Sequence, residues 1–414
     1  RLIALFGETA KAGPNSVYAG GLWVRSPIDP QMQALATEAL RKGLLNYDRG
    51  KGWSGPIRHF KSVDQWERDL DYSNLSINYA DWTVAVVLGK AQDSAKIGVL
   101  GGKTSSLPSQ AAQLPDLRTG GTTFAALKVG DVIAVAPEGD HYALRNIPGV
   151  SGGIMIEGTH AGRVFAMQGG FDQRISSYNR VIQAMRQSGS TIKPFVYAAA
   201  IDNGMTPASI AIDGPFCVFQ SAALGQKCFR NFERGGGGGP HTLRWGVEQS
   251  RNLMTVRVAA KTGMKRVVKT IKDMGIGDYK PYLSFALGAG ETTVERMVNA
   301  YAMLANHGRA LTPRLIDYVQ DREGKVIYPK DWRPCRGCNM PDWNGKPMPR
   351  FTPNGKQLMN PLTAYQVLHI TEGVIKRGTG RSLNDMGRPL FGKTGTTNGP
   401  TNVWFIGGTP QMIG

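Results

Sequence analysis

Ser190-Thr191-Ile192-Lys193 places a hydroxyl and an amine three positions apart, at the head of a stretch that reads as helix: Phe195, Val196, Ala198, Ala199, Ala200. At that spacing both side chains share one helix face. A serine there has a plain use, as an N-cap that satisfies the free amides of the first turn. It has a second use if the lysine is buried beside another cation. The amine then loses its proton readily and can act as base toward the hydroxyl. No other serine in the chain has Lys at the third position after it. Pro194 falls in the first turn, where its missing amide costs little.

Two more segments carry matching chemistry. Ser250-Arg251-Asn252 is an S-x-N, a pattern that also occurs at Ser76, Ser177 and Ser382. Only Ser250 lies between two helical runs, where a turn can aim both polar side chains at one cavity. Lys393-Thr394-Gly395-Thr396-Thr397-Asn398 continues a strand-like run, and Gly395 would let a substrate backbone approach closely. A second K-T-G, Lys261-Thr262-Gly263, ends a helical run and reads as a C-cap. The three segments follow in the order S-x-x-K, S-x-N, K-T-G, with Ser250 60 residues after Ser190 and Lys393 143 residues after Ser250. That trio points to acyl transfer by an active serine.

The elements that must position these groups read as follows. Residues 1–22 look irregular, and residues 24–29 extended. Pro30 opens a helix through about Leu45, with Met32, Leu35, Ala36, Ala39, Leu40 and Leu44 at helical spacing. From about 57 to 148 short β-like runs alternate with turns: Thr83 to Leu88, Ile97 to Leu100, Val132 to Val135 and Tyr142 to Ile147. These predict a small all-β module, a barrel. Gly153 to Ile156 and Arg163 to Met167 predict a hairpin. Helices are predicted near 190–203, 242–249, 252–262, 264–274, 293–306 and 361–376, the fifth opened by a capping box at Thr292 to Glu295. Strands at Pro389 to Gly392 and Asn402 to Gly407 close the chain. Strands at both ends with helices between them predict one sheet plus a helical subdomain, an α+β fold.

The 414 residues are 41% hydrophobic and 19% charged, a globular composition with material for two or three domains. The net charge is +18, scattered through the chain without a zinc-finger, RNP-type or basic-region pattern. It therefore fits an anionic envelope polymer, or a solvated basic surface, better than nucleic acid. The five-glycine run Gly235 to Gly239 reads as a mobile loop. Four cysteines form two local pairs, Cys217 with Cys228 and Cys335 with Cys338, the pattern of disulfides in an oxidising compartment. Without a second close Cys or His pair, Cys335 and Cys338 make a poor zinc site, and no βαβ pattern supports a redox motif. No metal site is expected. No run of 18 apolar residues spans a membrane. The chain starts at Arg1 and stops at Gly414, and is read as a fragment.

With these residues in view, the chain resembles the bifunctional class A penicillin-binding proteins of the 1a type. The likeness rests on Arg186 to Gly204 (RQSGSTIKPFVYAAAIDNG), Ser250 to Val258 (SRNLMTVRV), Leu287 to Thr292 (LGAGET), Gly392 to Asn398 (GKTGTTN) and Trp404 to Gly407. Upstream, GLWVRSPIDPQMQ and YDRGKGWSG resemble the family's linker. The resemblance implies a penicillin-binding transpeptidase fold, an antiparallel sheet flanked by helices with a helical subdomain, plus an inserted OB-like domain. It divides the chain into a linker region at 1–56, the OB-like domain at 57–148 and the transpeptidase at 149–414, truncated at its C-terminus. The glycosyltransferase half is absent, Glu157-Gly158-Thr159-His160 replaces the family's usual Asp-Pro turn, and the segment after Asn398 is atypical.

Carried onto matching residues, the resemblance implies that Lys193 deprotonates Ser190, which attacks the D-Ala-D-Ala stem peptide and releases D-Ala. Ser250 and Lys393 pass a proton to the leaving amine. The backbone amides of Ser190 and Thr396 hold the oxyanion. The Thr394 and Thr396 hydroxyls, with Lys393, receive the terminal carboxylate, Gly395 lines the substrate site, and Asn252 receives the peptide amide. A neighbouring amine then accepts the acyl group, and β-lactams are trapped covalently. No cofactor is implied. The implied place is the periplasmic face of the inner membrane, through an anchor outside this fragment. Three further features invite function. Glu295 to Asn299 resembles a deacylating β-lactamase loop but fits a packed helix face. Trp53, Trp66, Trp82 and Trp245 would suit glycan stacking or core packing. The six histidines are dispersed.

Overall fold

The computed structural model describes every residue except 222–224, 233–237, 330–341, 343, 348–354, 398 and 400. Cys335, Cys338, Asn398 and the first three glycines of the Gly235 to Gly239 run lie outside the described residues. Two compact units emerge, one made of residues 1–30, 155–166 and 185–414, the other of residues 31–154 and 167–184.

The second unit is built on a six-stranded antiparallel sheet. Arg58–His59, Asp131–Glu138, Thr83–Lys90, Ser94–Val99 and Lys103–Pro108 lie side by side in that order, and His141–Arg145 pairs with Asp131–Glu138. The central strand is apolar at successive positions because both of its faces are covered. Ala85 and Val87 pack with Trp53, Ile97, Leu107, Phe124 and Val135 on one face. Val84 and Val86 pack with Leu70, Leu75 and Val132 on the other. The short helix Trp66–Tyr72, which the sequence pattern does not announce, covers that second face with Leu70. Gly98 makes room for it, since a Cβ there would lie 2.5 Å from the Trp66 ring. Trp53 is buried in the core, and the partly buried Trp82 packs on Tyr79 and Phe171. The edge strand Lys103–Pro108 was also missed, because Lys-Thr-Ser-Ser carries no apolar alternation.

The first unit centres on a five-stranded sheet, with the order Phe391–Thr396, Val403–Gly408, Met412–Ile413, Ile154–Gly158, Val164–Gln168. Thus strands from both ends of the unit form one sheet, as read from the sequence. The helix Lys193–Asp202 is buried from Lys193 to Ile201. It is apolar all round, as a helix enclosed by others must be. Around it pack the helices Asn252–Thr262, Met264–Asp273 and Pro361–Arg377. Val294–Ala305 buries Met297, Val298, Tyr301 and Leu304, the packed face expected of it.

Three local readings change. Residues 1–22 hold a short helix at Leu2–Phe6. The long helix from Pro30 runs on to Asp48. The capping box at Thr292 to Glu295 shifts by one residue: Thr293 is the cap and accepts from the Arg296 amide. Thr292 instead belongs to a two-residue strand, and its hydroxyl donates to the Ile276 carbonyl. Its neighbour across the ladder is Arg186, so the tertiary pairing takes the residue that local capping would have used.

Candidate active site

Ser190 sits in the 3-10 turn Gly189–Ile192, which runs directly into the helix Lys193–Asp202. Its side chain makes no capping bond, so the N-cap reading does not apply. The turn is held by backbone packed on backbone. Gly189 has φ +52°, and a Cβ on it would lie 2.8 Å from the Thr396 carbonyl oxygen. A Cβ on Gly288 would lie 2.0 Å from the Gly189 carbonyl oxygen, and one on Gly395 2.6 Å from that of Ser188. The close approach that Gly395 permits is therefore to the protein's own chain. Side chains complete the clamp: Tyr301 Oη donates to the Thr191 carbonyl at 2.7 Å, and Trp404 Nε1 to the Gln187 carbonyl at 2.9 Å. Ser190 is half-buried while Gly189, Thr191 and Ile192 are buried, so its side chain is the turn's outlet toward solvent.

Lys193 and Lys393 are both fully buried. Lys193 Nζ donates to the Ser250 carbonyl at 2.6 Å and to Asn252 Oδ1 at 2.7 Å, and lies 3.2 Å from Ser250 Oγ. Lys393 Nζ donates to the same Ser250 Oγ at 2.9 Å and to the Thr394 carbonyl at 3.0 Å. One hydroxyl thus bridges two amines, and it is that of Ser250. The Lys193 amine makes no hydrogen bond to Ser190 Oγ. The three motifs converge with Ser250 as their hinge, a role that sequence order alone does not reveal.

The electrostatics follow from burial. Removing an ammonium from water favours its neutral form. Desolvation holds Lys193 well below the ordinary lysine range, and the charges of Lys393 and Arg251 push it further down while Asp213 opposes them. Desolvation brings Lys393 down to about 7. A neutral Lys193 has two N–H bonds, matched by the Ser250 carbonyl and Asn252 Oδ1, and a lone pair that can take a proton. A hydroxyl between two amines can accept a proton from one and pass its own to the other.

Ser250 is placed by its connections. It follows the helix Leu243–Glu248, whose Glu248 pairs with Arg377 at 2.5 Å, and precedes the helix Asn252–Thr262. Its φ is +55°, a left-handed backbone that costs a non-glycine residue energy and that packing must maintain. Among the remaining predicted residues, Thr394 Oγ1 lies 2.7 Å from Thr379 Oγ1. Thr396 is half-buried on the strand edge facing the Gly189 turn. Cys217 and Cys228 are joined as a disulfide across the hairpin Phe216–Ser221 and Gly225–Phe229. Trp245 stacks on His241 with ring centroids 3.7 Å apart. Glu295 pairs with Arg1 at 3.1 Å. The second K-T-G ends its helix at Gly263, φ +90°, as a C-cap. Among the described residues no group of three His, Cys, Asp or Glu side chains gathers, and no helix is long and apolar enough to cross a membrane.

Sequence reading missed Asp213 and Asn231. Asp213 is buried and accepts from Arg251 Nε at 2.6 Å, Asn231 Nδ2 at 2.9 Å and the Gly238 amide at 3.2 Å. Burial alone would raise this carboxyl, but those donors outweigh it and hold it below its ordinary value. Their spacing in the chain follows no motif, so only the fold unites them.

Comparison with known proteins follows the same lines. Residues 152–412 match the penicillin binding protein transpeptidase domain, and residues 53–150 the penicillin-binding protein OB-like domain. A penicillin-binding protein 1A of Rickettsia prowazekii (strain Madrid E) is 39% identical over 404 residues, 96% of this chain and 50% of the relative. One of Neisseria meningitidis (serogroup B, strain MC58) is 31% identical over 405 residues, 96% of this chain and 49% of the relative. The chain therefore spans about half the length of the curated relatives it matches. The crystal structure of penicillin-binding protein 1A from Haemophilus influenzae shares the fold, with a TM-score of 0.76 at 24% identity over all of this chain and 63% of that one.

Proposed function

The chain belongs to the penicillin-binding protein transpeptidase family, and on that premise we propose that it cross-links peptidoglycan by two acyl transfers through Ser190. The observation that carries this reading is the convergence of two buried lysine amines on one hydroxyl, 3.2 and 2.9 Å away, beside the Ser190 turn. Neutral Lys193 takes the Ser190 proton as the hydroxyl attacks the penultimate D-Ala carbonyl of a stem peptide. The backbone amides of Ser190 and Thr396 receive the oxyanion, each such donor contributing about 3–4 kcal/mol. Ser250, charged from Lys393, protonates the leaving D-Ala amine. Lys393 with the Thr394 and Thr396 hydroxyls receives the carboxylate, and Asn252 the peptide amide. A neighbouring stem-peptide amine then takes the acyl group and frees Ser190. β-Lactams enter the same path and stop at the acyl-enzyme.

The whole protein carries, in this proposal, a glycosyltransferase and a membrane anchor, and works on the periplasmic face of the inner membrane. The division at 56/57 and 148/149 into linker, OB-like domain and transpeptidase is part of it. The test is fluorescent penicillin labelling of the wild type and of Ser190→Ala. Covalent label on the first and none on the second is expected. Equal labelling of both, or none of the wild type, overturns the reading, and fast release of label points to hydrolysis instead.

A further inference from the structure

Arg251, the middle residue of Ser250-Arg251-Asn252, turns to Asp213 rather than to the lysines. Its Nε lies 2.6 Å from Asp213 Oδ2, and its guanidinium lies 5.7 Å from the Trp245 ring centroid. Asp213 ends the strand Ile210–Asp213, which is laddered to Gly239–Thr242. The same carboxylate takes the Asn231 side-chain amide. Asn231 in turn accepts the backbone amides of Asn252 at 2.8 Å and Leu253 at 3.2 Å, amides of the first turn of the Asn252–Thr262 helix that have no partner within the helix. The adjacent Arg230 carbonyl accepts from Asn252 Nδ2 at 3.0 Å. Asn252 is thus gripped at its backbone and at its side chain by two consecutive residues. Its remaining amide oxygen is the one that holds Lys193 Nζ at 2.7 Å.

Arg230 and Asn231 directly follow the strand Gly225–Phe229, whose Cys228 is bonded to Cys217 across the hairpin. The covalent cross-link fixes the register in which that hairpin delivers the two residues to the site.

We propose that Asn231, carried at the foot of the disulfide-closed hairpin and anchored by Asp213, is a positioning residue that sets Asn252 and thereby the Lys193 amine for reaction with Ser190. It touches neither substrate nor nucleophile, and acts through Asn252. The proposal rests on Ser190 being the acylated residue. It gives the hairpin a use in catalysis: opening the cross-link loosens the group that orients the base. Arg251 and Asp213, facing Lys193 with opposite charges, add a second effect. Loss of the Asp213 charge leaves Arg251 and Lys393 unopposed and lowers the proton affinity of Lys193.

The test measures penicillin acylation, separating noncovalent binding from the covalent step, in the wild type, Asn231→Ala, Asn360→Ala and Cys217→Ser/Cys228→Ser. Asn360 caps the helix Pro361–Arg377 by accepting from the Leu362 amide, so its loss is a comparable structural injury outside the site. Asn231→Ala is expected to slow the covalent step by about tenfold or more with binding little changed, as a displaced group does. Asn360→Ala is expected to lower the melting temperature similarly and to acylate at the wild-type rate. The double serine variant is expected to slow the covalent step in the same sense as Asn231→Ala. Asp213→Asn is expected to move the acid limb of the acylation profile to lower pH. Wild-type rates in Asn231→Ala make it a helix cap only and overturn the proposal. Wild-type rates in the double serine variant remove the hairpin from it. If Asn231→Ala does not fold, dithiothreitol treatment of the folded wild type reads the same step, and an unchanged rate after reduction overturns the hairpin's role. A wild type that never labels sinks the Ser190 reading itself, an outcome distinct from labelled protein with indifferent variants.

Discussion

Buried charge is handled in two ways in this molecule. In the unit of residues 31–154 and 167–184, each deeply buried carboxylate has a donor close by. Asp172 meets Arg41 at 2.8 Å, Asp116 meets Arg118 at 2.7 Å, Asp131 meets His59 at 2.8 Å, and Asp48 takes Asn146 and the Gly149 amide. The hydrogen bonds from Arg118 hold Asp116 below its ordinary value. In the other unit, Lys193 and Lys393 are as deeply buried, yet neither forms an ion pair with a carboxylate among the described residues. They meet carbonyls, an amide and a hydroxyl. Glu157, also fully buried, has one oxygen bonded to Asn299 at 2.7 Å and the other without a partner. Burial with a counter-ion preserves a charge for structure. Burial without one moves the proton equilibrium toward neutral pH, which proton-transfer chemistry requires.

The comparison breaks most sharply at Lys193. Lys193→Met removes the unpaired amine and is expected to cut penicillin acylation roughly 10²–10⁴-fold, the usual worth of a positioned base. A loss under fivefold, by stopped-flow acylation, would place the base elsewhere. The OB-like sheet gives the converse case. Ile97→Ala in its core is expected to cost about 2–5 kcal/mol in urea unfolding while each folded molecule acylates at the wild-type rate. A slowed covalent step would mean that the two units are not chemically separate.

Glu157 sharpens it further. Burial raises this carboxyl, against the Asn299 hydrogen bond and with some help from Glu295, to about 7 from 4.5. Between those values the folded state holds a proton that the unfolded chain releases. Stability therefore falls as pH rises from 4.5 through 7, by on the order of 3 kcal/mol in all. Glu157→Gln should flatten that slope in denaturant melts at pH 5 and 8. Parallel pH dependence in the two proteins would show that the carboxyl does not carry it. The smallest effect expected is a shift, read in the residual rate that Lys393→Met leaves after losing its proton relay through Ser250. That variant removes a neighbouring cation, so Lys193 should bind its proton more tightly and the acid limb of the remaining acylation should move to higher pH. An unmoved or downward limb would deny the coupling of the two amines.

Much of this was legible in the sequence because it is short-range. The three-residue spacing of Ser190 and Lys193, the capped end at Gly263 and the apolar run Phe195 to Ile201 are local facts. The class of fold followed from them and from the family resemblance. What stayed hidden crosses space. Ser250 as the bridge between lysines 57 residues before it and 143 after it depends on a left-handed backbone in a two-helix corner. Asp213, Asn231 and Arg251 lie in a strand, after a hairpin and inside a motif, with no shared spacing. The edge strand Lys103–Pro108 has a polar face and no alternation to detect.

The most direct measurement follows from Ser250 holding both amines while Ser190 holds the outlet. Wild-type protein is acylated with penicillin, digested, and the modified peptide located by tandem mass spectrometry. The account predicts one adduct, on Ser190. An adduct on Ser250, or on any residue outside the Gly189–Ile192 turn, would contradict it.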